Sequence, residues 1–316
     1  MNRVYLLPVA IFTVLLLSSW GFHAHKLINR TAVFTLPTEI AGFYKNHVDY
    51  MTDHAIDPDK RCYIDTAESP RHFIDADEYG PQPFDSLPIH WTAAVEKFSE
   101  RRLLLSGILP WQISRSYHAL VSAFSDKDVR RILRHSSDIG HYLADAHVPL
   151  HTTSNYNGQK TNQVGIHAFW ESRLPELFAN GYNLMVGRAT YVDAPVDEAW
   201  RIVQESHALV DSVLLIEAKL DSAFPTDHKF GYIERNHTLI RTYSDAYATA
   251  YHEALNGMVA RRMRGAIRSI GNFWYSAWVD AGQPDIRSLS LASPAITDTL
   301  PSPPVSQKPI GREEWH

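Results

Sequence analysis

The sequence predicts one all-α domain over about residues 20 to 281, on three observations. Apolar residues recur at three- and four-residue spacing through most of that stretch, and strand-type alternation is weak. The composition, 45% hydrophobic and 21% charged over 316 residues, supplies enough apolar side chains for one large core.

The elements follow in order. Met1-Asn2-Arg3 is a short positive segment ahead of an apolar run from Val4 to Leu17, closed by Ser18-Ser19. The run of about 14 residues is short of the roughly 20 that span a membrane. Residues 1–19 therefore read as a cleaved export signal, with Trp20 the new N-terminus and no permanent membrane span. The mature chain is expected to be periplasmic or extracellular. His25 to Phe34 and Thr38 to His54 read as helices separated by Pro37. Asp57 to Pro88, rich in Asp, Pro and Gly, reads as a long loop. Ala93 to Phe98 and Gln112 to Phe124 read as helices around the Pro110 break. Ser125-Asp126 is the expected cap of a helix from about Lys127 to Ala146, ended by Pro149. Ser154 to Gly165 is a polar loop, and a helix resumes near Ile166. Val196 to Leu220 and Tyr243 to Val279 are the longest helical patterns. Residues 282–316 carry repeated Pro among Ser and Thr and read as a disordered tail.

Charge and cysteine content narrow the function. Thirty Lys and Arg against 35 Asp and Glu leave no basic excess, which argues against stable duplex DNA binding. The single cysteine, Cys62, allows no internal disulfide, so an exported fold must rely on its core or on metal. Seventeen histidines are the unusual feature. In His141-Tyr-Leu-Ala-Asp145, positions i and i+4 share a helix face, so an imidazole and a carboxylate can grip one ion. Pro149 stops the helix and lets His151 turn back toward that face. His167-Ala-Phe-Trp-Glu171 repeats the pairing, which suggests more than one metal. His147, two residues past Asp145, falls on the wrong face and reads as structural. In the loop, Asp57-Pro-Asp59-Lys-Arg61 and Arg71-His72-Phe-Ile-Asp75 are further candidates. A free Trp20 amine and its carbonyl oxygen form a natural chelate near His25.

Together, Trp20 with His25, the Asp before Arg61, His72-Phe73-Ile74-Asp75, His141-x3-Asp145-x5-His151 and His167-x3-Glu171 resemble one superfamily, the bacterial zinc-dependent phospholipases C and single-strand-specific nucleases. The resemblance runs from Trp20 to about Gly282. It implies an all-α, single multi-helix domain with a trinuclear zinc cleft. Carried over, His72, His141, Asp145 and an upstream Asp hold one zinc; Trp20, His25 and bridging Asp145 hold a second; His151, His167 and Glu171 hold the third. Spacing to His72 favours Asp57 as the upstream ligand, whereas the Pro-Asp-x-Arg pattern favours Asp59, the narrow preference.

That site implies hydrolysis of a phosphodiester, an anionic and inert bond. A close zinc pair supplies a nucleophilic water near neutral pH, and no protein nucleophile is required. Asp145, Asp59 and Arg61 are the expected catalytic residues, with Arg61 offsetting charge on the phosphate oxygens. Phe73 and Asp75 look like the nuclease version, stacking on and hydrogen-bonding a base. Glu171 in place of Asp, with Trp170 and Asn155-Tyr-Asn-Gly158, looks like the bacterial phospholipase C-like branch. The sequence reading therefore favours a phospholipase C-like enzyme acting on phospholipid, with a single-strand-specific nuclease as the alternative. A zinc-binding module without turnover is the alternative of a different class.

Overall fold

The helix Val129–Ala146 is the axis of the molecule, and every residue from Ser136 to Ala146 is buried. A helix enclosed on all sides normally carries apolar residues all round; this one places Ser136, Ser137, Asp138, His141 and Asp145 among them. The computed structural model describes residues 21–235, 238–287 and 289. The expected export signal 1–19, Trp20, and Ser288 and residues 290–316 of the expected tail lie outside the described residues.

Three further helices enclose this axis: Gly21–Ala32, Leu109–Ser125 and Met258–Asp280. Met258–Asp280 sends the fully buried Trp274 against Tyr44 with ring centroids 5.0 Å apart. The indole N–H of Trp274 donates to the Ser136 carbonyl at 2.9 Å, and the Tyr44 hydroxyl meets the Ser136 hydroxyl at 2.8 Å. Each polar atom in this part of the core therefore has a partner, as a dry interior requires. Gly21–Ala32 crosses the axis closely at Gly140, where a Cβ would fall 2.0 Å from the Asn29 side-chain oxygen. Only glycine permits that approach, and it brings His25 down to the level of His141.

The all-α expectation holds for the described residues, with one exception. Phe230–Arg235 and Thr238–Tyr243 form an antiparallel hairpin, pairing Phe230 with Tyr243 and Tyr232 with Arg241. The helical pattern expected from Tyr243 to Val279 is two helices, Asp245–Ala254 and Met258–Asp280. Asn256 and Gly257 separate them, both with positive φ, a conformation that ends a helix. Val196 to Leu220 is likewise divided into Pro195–His207 and Val210–Ala223. Ser125 and Asp126 close the preceding helix rather than opening the next. The true cap is Asp128, whose carboxylate accepts the Arg131 N–H. The long loop from Asp57 to Pro88 is a chain of short helical turns, beginning with Asp57–Cys62. Among the described residues no helix is long and apolar enough to cross a membrane.

Candidate metal centre

His141 and Asp145 lie one turn apart on the buried axis, and other elements bring their donors to that face. His25 comes from Gly21–Ala32, Asp59 from the turn Asp57–Cys62, and His72 from the segment after Ser69–Arg71. His151 follows Pro149, which ends the axial helix. His167 and Glu171 sit on a short helix that widens into a π-turn over Phe169–Arg173. All eight side chains are buried.

The donors form three groups: Asp59, His72 and His141; His25, His141 and Asp145; and His151, His167 and Glu171. Asp145 joins the first two. Its Oδ2 is 3.0 Å from His72 Nδ1 and 3.3 Å from His141 Nε2, while its Oδ1 is 3.3 Å from His25 Nε2. Glu171 joins the second and third. Its Oε2 is 3.1 Å from His151 Nε2 and 2.8 Å from His167 Nε2, and its Oε1 is 3.4 Å from His25 Nε2. His141 Nε2 also lies 3.3 Å from Asp59 Oδ1.

These separations suit zinc. Bonds of about 2.0–2.1 Å to nitrogen and oxygen put tetrahedral donors about 3.3–3.4 Å apart. The ring orientations suit it too. His141 Nδ1 is 2.8 Å from the Ala55 carbonyl and His151 Nδ1 is 2.6 Å from the His72 carbonyl. A carbonyl only accepts, so each Nδ1 carries the proton and each Nε2 turns its lone pair to the group.

Charge is balanced within the cluster. Burial alone would raise the Asp145 carboxyl, but the charges of His141 and His151 and hydrogen bonds from His141 and His72 hold it well below the usual carboxylate range. Burial lowers His141, yet Asp145 and Asp59 lift it to about 10. In the metal-free protein His141 thus holds a proton that a cation must displace.

The remaining expected residues are placed as follows. Asp57 pairs with His54 at 2.5 Å and Lys60 at 3.0 Å, so Asp59 is the carboxylate brought to the imidazoles. Arg61 does not face the cluster. It joins Glu68 at 3.2 Å, Asp138 at 3.0 Å and the Tyr142 hydroxyl at 3.3 Å, which assigns it to the packing beneath the site. Phe73 has no accessible surface, so its ring offers no face to a base and packs under the site instead. Asp75 is half-buried, with its backbone N–H on the Ser106 carbonyl at 2.6 Å.

The sequence reading missed Glu68. It is fully buried, bonded to Arg61, Arg71 and the Tyr142 hydroxyl, and its Oε1 lies 3.8 Å from His72 Nε2. Its position four residues before His72 repeats the pairing read at His141 and His167, but the segment was expected to be loop.

No model of a known protein family matches the chain. The chain is 26% identical over 208 residues to Nuclease S1 of Aspergillus oryzae, a match covering 60% of this chain and 66% of that protein. With the three buried donor groups and the helical fold, this similarity agrees with the resemblance to single-strand-specific nucleases read from the sequence.

Proposed function

We propose that the protein is an exported zinc-dependent hydrolase that cleaves phosphodiester bonds of single-stranded nucleic acid. The observation that carries the reading is the sharing of Asp145 and Glu171 among three buried donor groups, in a chain similar to a nuclease. Proposed ligands are Asp59, His72, His141 and Asp145 for one ion, His25 and Asp145 for a second, and His151, His167 and Glu171 for a third. Trp20, outside the described residues, completes the second set through its amine once the export signal is removed.

When bound, zinc neutralises phosphate charge and brings a water to nucleophilic strength near neutral pH. The chain's own contribution is orientation and charge. Asp145 and Glu171 each aim two oxygens at different groups, which keeps the groups at short separation. The Ala55 and His72 carbonyls lock two imidazole tautomers. Burial of every donor excludes competing water ligands and strengthens each electrostatic contact.

The phospholipase C reading rested on Glu171 and its neighbours, and the similarity to a nuclease favours the alternative instead. The test is a panel of single-stranded DNA, single-stranded RNA and phosphatidylcholine with zinc-loaded and chelated protein. Cleavage of the nucleic acids, abolished by chelation, is expected. Cleavage of phosphatidylcholine alone, or of nothing by zinc-loaded protein, would overturn the reading.

A further inference from the structure

Two supports of the donor group Asp59, His72 and His141 come from one short stretch of chain. The Ala55 carbonyl holds His141 Nδ1 at 2.8 Å, and Asp59, a few residues later, supplies the carboxylate. Ala55 lies in the single turn His54–Ile56, and Asp59 in the first turn of Asp57–Cys62. Neither turn is capped by the side chain before it. Turns this short are not stable by themselves, so the directions of the Ala55 carbonyl and the Asp59 side chain must be fixed by other contacts.

Asp57 stands between the two. Its Oδ2 meets His54 Nδ1 at 2.5 Å, and its Oδ1 meets Lys60 Nζ at 3.0 Å. One carboxylate thus spans the junction, tied to the residue before Ala55 and to the residue after Asp59. His54 is anchored in turn. Its ring stacks on Tyr50, centroids 3.9 Å apart and 23° between planes. Tyr50 belongs to the helix Val48–Asp53, which packs on the axial helix that carries His141. His54, Asp57 and Lys60 are all part-exposed, and ion pairs in that setting add little to stability. An isolated surface pair would have no further consequence. This one closes a bracket around the only two atoms that the segment presents to His141 in these contacts.

We propose that Asp57 is a positioning residue: by bridging His54 and Lys60 it sets the Ala55 carbonyl and the Asp59 carboxylate together against His141. It touches neither metal nor substrate. This rests on the zinc reading given above. The Ala55 carbonyl fixes which nitrogen of His141 turns to the metal, and Asp59 is a ligand beside it, so one loosened carboxylate disturbs two parts of the same group. Supports behind metal ligands typically govern affinity by about 10- to 100-fold. The signature of the role is therefore a large change in zinc affinity with a small change in stability.

The test compares wild-type protein with Asp57→Ala, Asp57→Asn and Asp59→Asn. Three quantities are read: zinc affinity by competition with a chelator, exchange of the His141 Nδ1 proton with solvent by NMR in metal-free protein, and Tm. Asp57→Ala should weaken one bound ion by about tenfold or more and speed the proton exchange by a similar factor. The remaining zinc and Tm should stay close to the wild type. Asp57→Asn keeps an acceptor for His54 and should recover part of both losses. Unchanged affinity and exchange in Asp57→Ala would overturn the proposal. So would a lowered Tm with all bound zinc weakened equally, which is the mark of a structural role alone. Loss of an ion in Asp57→Asn but not in Asp59→Asn would make Asp57 the ligand and overturn the assignment. Absence of zinc binding by the wild type would instead overturn the zinc reading, while proton exchange still reports on the bridge.

Discussion

Replacing Glu68 by Gln removes one charge from beneath the site and almost no volume. In the wild type the carboxylate answers two guanidinium groups, Arg61 and Arg71, and the Tyr142 hydroxyl, with no solvent contact of its own. Burial would raise its pKa, but the hydrogen bond from His72 and the charges of Arg61, His72 and Arg71 hold it well below the usual carboxylate range. Removing one partner of a buried pair costs about 3–5 kcal/mol, because the remaining charges stay desolvated. The amide also turns donors toward groups that are themselves donors. Since Glu68 Oε1 is 3.8 Å from His72 Nε2, ring orientation at the donor group loosens as well. Lost support of that kind weakens metal affinity by about 10- to 100-fold.

Thermal unfolding of metal-free Glu68→Gln should show a Tm lower by about 10 °C, and competition titration should show the weaker zinc affinity. The sign with pH follows from the depressed pKa. The wild-type advantage is complete above about pH 4.3 and disappears as pH falls through the depressed folded value. A variant with unchanged Tm and unchanged zinc affinity would refute the claim that Glu68 orients His72.

Asp145→Asn keeps the shape but removes the charge shared by two donor groups, so zinc content should fall and activity drop by at least about 10³-fold; near-normal turnover with full zinc would contradict the sharing. In the metal-free protein His141 is raised to about 10, so its ion pairs contribute stability fully below about pH 6.5 and lose it as pH rises toward 10. Denaturant melts of chelated protein should show that decline, and zinc-loaded protein should not. Phe73→Ala truncates a fully buried ring and should cost about 3–5 kcal/mol of stability, with equal proportional loss on every substrate. A loss confined to nucleic acid would restore a stacking role.

What the sequence disclosed was mostly local. His141 with Asp145 and His167 with Glu171 were legible because a single helical turn sets their geometry. His25, Asp59 and His72 were legible only through resemblance, since their approach depends on packing such as the Gly140 crossing. The partners of Arg61, Glu68 and Asp138, were not legible because they come from a loop and from a buried face that spacing does not reveal. The full burial of Phe73 was not legible for a related reason: a motif names a residue type but not its burial. The hairpin was hidden by short strands whose Phe230, Tyr232, Ile240 and Tyr243 read equally well as apolar spacing. The Asn256-Gly257 stop was visible as a turn pair, but the long run of apolar residues around it obscured the break.

The central claim is that the shared donor groups hold zinc for hydrolysis of single-stranded nucleic acid. Its most direct test is cleavage of single-stranded DNA by mature protein, first stripped with chelator and then titrated with zinc. Activity absent in the stripped protein, rising with added zinc and saturating at about three ions per chain, is the predicted result. Single-stranded DNA left intact across the whole titration, with zinc bound, would contradict the account.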